Sequence, residues 1–305
     1  MVCDSDNKVL QKLKIYFKRC TGILPYSMVS LDSSRIVVLF FASGGLALLD
    51  ALDSVDKNEI IEFIYSHQIL STDIQDKGGF RGSNLIGCSS DPEEAKLVRS
   101  NCQLLYLNGL DSINCENVAD FISKCQTYQG GFANLPYLEA HAGATYCAVA
   151  SLSLIGKLES VIPSGSKSRE LLIKWLLNLQ EEGFHGRVGK PDDTCYTFWV
   201  CASLKILNCH HLVDKNSAVR FTPDQFCTPD PLHTYLSLSG LLCLCPSDIL
   251  KTDDDVKSMD SESYVYRNLQ ELLNSDGLLT VYPELNIPER YHQRLKQIHL
   301  QWSKK

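Results

Sequence analysis

Residues 130–155, GGFANLPYLEAHAGATYCAVASLSLI, hold the pattern that decides the fold: a glycine turn ending in phenylalanine, a polar loop, and an apolar segment. The apolar segment is hydrophobic on nearly every side, which predicts a helix buried inside the protein rather than one on its surface. Short turns of the same kind recur at Gly78-Gly79-Phe80, Gly183-Phe184 and Gly277-Leu278.

The spacing of these turns indicates an internal repeat. Phe80 and Phe132 are 52 residues apart, as are Phe132 and Phe184, and Leu278 follows after 94 residues, about two further periods. Glycine at helix ends would account for single turns of this kind. Two equal spacings favour a repeated structural unit.

The segments between the turns have helical periodicity of two kinds. Residues 10–20 and 169–179 are apolar on one face only, whereas residues 36–49, 145–155 and 195–207 are apolar nearly all round. No stretch alternates for long enough to predict a sheet. The sequence therefore predicts an all-α fold of helical hairpins, each with one inner helix, closed into an α/α barrel or toroid.

Composition and charge exclude several classes of protein. The 305 residues, which we interpret as a single domain over 1–305, carry a formal net charge of −7, and this argues against nucleic-acid binding. The polar start is unlike a signal peptide, and the apolar stretches at 36–49 and 194–207 are shorter than a membrane span. Thirteen Cys without paired spacing fit a reducing compartment, so we expect a cytoplasmic protein.

One candidate for chemistry is a set of metal-ligating residue types at predicted helix starts. Pro191 followed by two aspartates suits the start of an inner helix, with Asp192 or Asp193 as its N-cap. Asp193 and Cys195 flank that start, and His233 precedes the next apolar helix in a similar way. Three such ligands with an open fourth position are typical of catalytic zinc. From the residues alone, a buried core thiol and a helix-end histidine are the open alternative.

A second candidate is a group of hydrogen-bond donors near the same helix starts. His141 precedes one apolar helix, Arg187 and Lys190 precede the next, and Tyr196 follows Cys195. Donors gathered at helix N-termini would suit a diphosphate. Taken by themselves, Arg187 and Lys190 also fit a solvated basic turn.

In their order, three segments resemble the active-site segments of protein prenyltransferase β subunits. They are residues 141–147 (HAGATYC), 186–199 (GRVGKPDDTCYTFW) and 230–235 (DPLHTY), and the resemblance extends over about residues 10–302. It implies zinc on Asp193, Cys195 and His233, where the metal would hold the cysteine of a substrate's C-terminal CaaX box. It implies that the lipid diphosphate is bound by His141, Arg187, Lys190 and Tyr196. It implies that Cys147 and Trp199 line the isoprenoid pocket.

Two positions resemble the type I geranylgeranyl members of that family. Val37 is a small residue where farnesyl enzymes carry a Trp that shortens the lipid pocket, and Leu232, a peptide-binding position, stands where they carry Tyr. The resemblance implies transfer from geranylgeranyl diphosphate to CaaX proteins ending in Leu. It also implies a heterodimer with a helical α subunit that supplies a Lys. A farnesyltransferase β subunit is the alternative, and the need for magnesium is left open.

The chain departs from the family pattern in two places. About one helical hairpin, roughly 50–60 residues on the family pattern, is missing after Gly82, and residues 214–230 lack a turn and part of a helix. We therefore expect a toroid short of about one hairpin. A chain that binds the α subunit without turnover is a further alternative. A terpenoid cyclase is disfavoured because the dense acidic run, residues 253–255, falls in a predicted exposed loop.

Overall fold

The computed structural model describes residues 6–69, 79–80, 115–214, 230–244 and 279–302. Their regular structure is helical apart from two antiparallel pairs of two-residue strands. Contacts divide the chain into two compact units, and each is described by itself. The first comprises Met1–Ser100 and Asn274–Leu279, and the second comprises Asn101–Leu273 and Thr280–Lys305. The single domain over 1–305 stays a prediction.

The first unit is built on two packed helices, α1 (Asp6–Thr21) and α2 (Arg35–Leu48). Phe17 of α1 is fully buried, as are Ala42 and Leu46 of α2, so the apolar sides of the two helices form the core of this unit. The other elements are a 3-10 segment (Tyr26–Ser34), a 3-10 turn (Leu52–Ser54), α3 (Lys57–Ser66), β1 (Gln68–Ile69) and β2 (Gly79–Phe80).

The 3-10 segment and α2 form one apolar run over Tyr26–Leu48. The run has 23 residues and a mean hydropathy of 1.4 over an 18-residue window, so it is long and apolar enough to cross a membrane by length and composition alone. The run is thus longer than the stretch at 36–49 from which we predicted a segment too short to span. Within this run α2 packs against α1 and has buried residues, as a core helix does, whereas the 3-10 segment has none.

The second unit alternates two kinds of helix, as the sequence predicts. In chain order the elements are α4 (Cys115–Lys124), α5 (Ala142–Leu154), α6 (Leu158–Val161), α7 (Lys167–Leu177), α8 (Tyr196–Ile206), a 3-10 turn (His210–Leu212), α9 (Pro231–Cys243), β3 (Val281–Tyr282), β4 (Ile287–Pro288) and α10 (Glu289–Trp302). α5, α8 and α9 are buried on most faces, with α8 packed between the other two, whereas α4 and α7 expose one polar face.

The glycine turns ahead of α5 and α8 share one backbone structure. A short antiparallel bridge ends at Phe132 in the first turn and at Phe184 in the second. Nine residues later a backbone N–H closes each loop: His141 donates to the carbonyl of Phe132 (3.0 Å), and Asp193 donates to that of Phe184 (2.9 Å). The 52-residue spacing in the sequence is therefore a repeat of backbone hydrogen bonding that leads the chain into an apolar helix.

The same closing bond recurs near the C-terminus. Glu289 at the start of α10 donates to the carbonyl of Thr280 (2.8 Å), so Thr280 takes the position of the turn phenylalanine. The sequence predicts a turn just before it, at Gly277-Leu278. Gly78, Gly277, Leu278, the loop at 251–263 and the chain at both predicted deletions lie outside the described residues.

The segment between β3 and β4 is tied to two of the apolar helices. The hydroxyl of Tyr146 in α5 donates to the carbonyl of Pro283 (2.8 Å), and the hydroxyl of the fully buried Tyr235 in α9 donates to the carbonyl of Asn286. A buried phenol needs such an acceptor, because an unpaired hydroxyl in the core is costly. The C-terminal segment therefore completes the burial of helices that come much earlier in the chain.

α8 and α9 approach each other most closely at Gly240. A Cβ atom on this residue would lie 2.6 Å from the backbone nitrogen of Phe198 and 2.8 Å from the carbonyl carbon of Thr197. Because those neighbours are backbone atoms, they have no side-chain rotamer by which to move away. Gly240 thus fixes the separation of the two helices.

We expect Gly240→Ala to lower the free energy of unfolding by about 1–3 kcal/mol, the usual cost of overpacking a core. Urea denaturation of the full chain measures the change. Ser237→Ala, at a partly exposed position of the same helix, serves as control and should stay within about 0.5 kcal/mol. Equal stability of Gly240→Ala and the parent would contradict the close approach.

Candidate metal centre and anion-binding site

Asp193, Cys195 and His233 converge at the starts of α8 and α9. Their ligand atoms, a carboxylate oxygen, a thiol sulfur and an imidazole nitrogen, all lie within 4.8 Å of one another. Nε2 of His233 is 3.3 Å from Oδ2 of Asp193. The Cys195 side is buried, whereas the side chains of Asp193 and His233 are 40% and 42% exposed. The cluster thus has one closed side and one open side.

The two neighbouring aspartates have different partners. Asp192 accepts a hydrogen bond from the N–H of Gly183 (2.8 Å) and contacts Nδ1 of the buried His185 (3.3 Å), so it braces the glycine turn. Asp193 accepts from the N–H of Cys195 (2.9 Å) with Oδ1, which leaves Oδ2 directed at His233.

The N-cap of α8 differs from our prediction. The capping residue is Cys195, in helical conformation and without a side-chain cap, rather than Asp192 or Asp193. The physical reason is that both carboxylates are already engaged, one with the turn and one with the N–H of Cys195 just before the helix.

Asp230 orients the histidine of the cluster. It is the N-cap of α9, where Oδ1 accepts from the backbone N–H of His233 (3.0 Å) and Oδ2 pairs with Nδ1 of the same residue. With Nδ1 occupied, Nε2 is the nitrogen that faces Asp193. Metal-binding histidines commonly have their second nitrogen held by a carboxylate in this way. Asp230 was not among the predicted site residues, although its position three residues before His233, at the start of an apolar helix, carries the signal.

The electrostatics of the cluster suit a cation. Hydrogen bonds with Asp193, and then with Asp230 and Cys195, raise the pKa of His233 to about 12. The hydrogen bond with His233 lowers the pKa of Asp193 to about 2, and burial raises the pKa of the Cys195 thiol. Two carboxylates thus attract positive charge to this point. The set of one sulfur, one nitrogen and one oxygen donor fits zinc.

The hydrogen bonds of His141 leave one of its ring nitrogens as a donor on the side of Tyr196, another residue of the candidate anion-binding site. As N-cap of α5, its Nδ1 accepts from the backbone N–H of Gly143 (3.0 Å), which in the neutral ring puts the proton on Nε2. Burial lowers the pKa of His141, and the charge of Arg187 acts in the same direction, so the ring favours its neutral form. Nε2 lies 3.3 Å from the hydroxyl of Tyr196.

The turn that carries Arg187 is tied to the start of α5. The carbonyl of Gly186 accepts from the N–H of Ala142 (2.9 Å), and Gly186 has no room for a side chain because a Cβ would lie 2.3 Å from the ring of Tyr196. Arg187 donates to a carboxylate oxygen of Glu139 (2.8 Å). Lys190 is exposed at the end of the same turn. Its backbone N–H donates to the backbone carbonyl of Arg187 (3.2 Å).

Tyr196 links the two candidate sites. It follows Cys195 directly, and its ring packs edge-on against His141 with 5.6 Å between centroids. Burial raises the pKa of Tyr196, so the phenol keeps its proton and remains a donor. Its ring also lies against Gly186, the residue before Arg187, so Tyr196 adjoins both the metal-ligating cluster and the turn of the arginine.

The predicted lipid-pocket and peptide residues lie on three helices. Cys147 on α5 and Trp199 on α8 are partly buried, and the ring of Tyr146 lies 5.1 Å from that of Trp199. Leu232 is partly buried in the first turn of α9, next to His233. Val37 is 44% exposed on α2 of the first unit. The roles assigned to these residues stay predictions.

The chain matches the family described as "Prenyltransferase alpha-alpha toroid domain" over residues 10–107 and 93–287. It belongs to this family, and the predicted all-α toroid is confirmed as its fold class. A solved structure of the same fold, "Candida albicans protein geranylgeranyltransferase-I complexed with GGPP", aligns with a TM-score of 0.67 and 20% identity, covering 94% of this chain and 98% of that one.

Within the family, the chain is similar to type I geranylgeranyl β subunits, as predicted. "Geranylgeranyl transferase type-1 subunit beta" of Dictyostelium discoideum is 30% identical over 320 residues, which cover 76% of this chain and 89% of the relative. The protein of the same name from Arabidopsis thaliana is 28% identical over 327 residues, 76% of this chain and 86% of the relative. Both alignments are longer than the 305-residue chain, so these relatives contain segments that it lacks. The chain is also similar, at lower identity, to "Protein farnesyltransferase subunit beta" of Schizosaccharomyces pombe, with 26% over 276 residues, 82% of this chain and 66% of the relative.

We expect Asp230→Asn to weaken zinc binding by about 10- to 100-fold, the usual effect of losing a carboxylate behind a histidine ligand. Asn keeps an acceptor for the helix N–H of His233 but loses the charge that orients its ring. Competitive titration with a zinc-binding indicator measures the affinity. Asp120→Asn, an exposed carboxylate on α4 paired with Lys124, is the control, and a parental affinity in Asp230→Asn would contradict this role.

Proposed function

We propose that the chain is the zinc-dependent β subunit of a type I protein geranylgeranyltransferase. The observation that carries this proposal is the convergence of Asp193, Cys195 and His233 within 4.8 Å. Their neighbour Tyr196 connects them to the donor His141. The similarity to type I β subunits supports the choice of lipid.

Asp193, Cys195 and His233 would hold the zinc ion, with Asp230 fixing the orientation of His233. When bound, zinc supplies a Lewis acid that favours the thiolate of the substrate cysteine. The open side of the cluster, formed by the half-exposed Asp193 and His233, is where a substrate side chain has access. In the reaction, the cysteine sulfur bonds to C1 of the lipid while the bond from C1 to the diphosphate oxygen breaks.

The second group of residues would act on the departing diphosphate. His141 presents Nε2–H, Tyr196 presents its hydroxyl, and Arg187 and Lys190 add positive charge. Donors that are in place before the reaction stabilise negative charge as it develops on the leaving oxygen. The backbone bond from Ala142 to Gly186 holds the two loops in this arrangement.

The proposal includes the partners and the compartment. The chain would form a heterodimer with a helical α subunit that completes the diphosphate site with a Lys, and would act on CaaX proteins ending in Leu. We place it in the cytoplasm as one domain over 1–305. In support, the eight cysteines within the described residues are all free of disulfides.

The proposal is tested by co-expressing the chain with a type I α subunit and measuring transfer of geranylgeranyl to a peptide with a Leu-ending CaaX box. We expect turnover in the parent and a loss of at least about 100-fold in Cys195→Ala, because removing a zinc ligand removes the metal. Cys209→Ala, at a partly buried cysteine outside the cluster, should keep parental activity. A soluble, zinc-loaded heterodimer without turnover would overturn the catalytic assignment.

The lipid preference has its own test at Val37. We expect Val37→Trp to lower the ratio of geranylgeranyl to farnesyl transfer by about 10-fold or more, since filling one end of an apolar pocket penalises the longer chain. Competition between the two lipid diphosphates measures the ratio. The control is Val29→Trp, the same change at a valine that is 54% exposed, and it should leave the ratio of the two transfers unchanged. An unaltered ratio in Val37→Trp would remove this residue from the pocket.

A further inference from the structure

The arginine of the proposed anion-binding site already forms an ion pair with an acidic side chain of the protein. Nη1 of Arg187 donates to Oε2 of Glu139 across 2.8 Å, and the two residues are 48 positions apart in the chain. Glu139 lies in the loop before α5, two residues ahead of His141, and Arg187 lies in the turn before α8. Both side chains are accessible to water: that of Glu139 is 57% exposed and that of Arg187 is 41% exposed.

The position of this pair is fixed by the backbone around it. Gly186, next to Arg187, accepts from the N–H of Ala142, so the two loops cannot separate without breaking that bond. Glu139 stands two residues before His141, and the residue before Arg187 bonds to Ala142, so the pair lies beside the proposed diphosphate ligand His141. Glu139 is therefore an anion built into an anion-binding site.

We propose that Glu139 is an internal competitor of the diphosphate: it holds Arg187 while the site is free of ligand and is displaced when the diphosphate binds. This inference rests on the proposed function of the site. A diphosphate carries several negative charges and accepts two parallel bonds from a guanidinium, so it displaces a single carboxylate. The displaced Glu139 stays close and repels the bound anion, which weakens its binding and speeds release of inorganic diphosphate after the lipid has been transferred.

The size of the effect follows from exposure. An ion pair this accessible to water changes a binding constant by about 2- to 5-fold. Glu139 is thus a positioning residue that acts through Arg187. A purely structural role predicts the opposite sign, because a carboxylate needed to hold Arg187 in place would strengthen diphosphate binding.

The test uses the full chain with its α subunit and inorganic diphosphate as the probe, with affinity measured by calorimetry and by inhibition of the transfer reaction. We expect Glu139→Gln to bind diphosphate about 2- to 5-fold more tightly. Glu139→Asp, which retains the charge, should return towards the parental affinity. Glu170→Gln, an exposed acid on α7, controls for the loss of one negative charge and should show parental binding.

A double variant separates this inference from the proposed function. In an Arg187→Ala background, Glu139→Gln should have a much smaller effect, because its partner is gone. Weaker or unchanged diphosphate binding in the single Glu139→Gln variant would overturn the competitor role while leaving the site itself in place. If Arg187→Ala alone leaves diphosphate affinity unchanged, the proposed anion site, and the inference with it, is wrong.

Discussion

The hydrogen bond that closes the glycine turns ahead of α5 and α8 determines where two of the candidate functional side chains lie. In one turn it ends at the N–H of His141, and in the next it ends at the N–H of Asp193. One backbone position therefore holds an anion-binding candidate in one repeat and a metal-ligating candidate in the next. Because α5 and α8 pack side by side, these two positions are neighbours in space. A repeated scaffold thus brings two kinds of chemistry together without any special loop.

Local patterns in the sequence predicted the helices and the turns ahead of α5 and α8. The periodicity of apolar residues located α1, α2, α5, α7 and α8, and the spacing of the turn phenylalanines located the closing bonds. The closing bond at Thr280 was not predicted, because Thr280 carries neither the glycine nor the aromatic residue of the pattern. Its hydrogen bond depends on the backbone alone, which a search for residue types does not detect.

Features that depend on tertiary contacts lay beyond the sequence patterns. The pairing of Arg187 with Glu139 joins two loops, and no spacing rule connects them. The distinct partners of Asp192 and Asp193 follow from how the glycine turn folds back on the helix start. Asp230 belongs to the family segment at 230–235, but its role beside His233 needed the direction of the histidine ring. The metal-ligating cluster itself was predicted because a family motif encodes a three-dimensional arrangement.

The ties between the apolar helices and the C-terminal segment have a consequence for synthesis on the ribosome. The hydroxyl of Tyr146 bonds to a carbonyl that lies 137 residues later in the chain. At ordinary translation speed, on the order of ten seconds passes between the synthesis of these two residues. During that interval α5 has emerged without its final cover, and its apolar faces are open to other nascent chains. Folding of this unit therefore cannot be completed until the last part of the chain has been made, so its unfinished apolar surface stays exposed for longer than that of a fold built from local contacts.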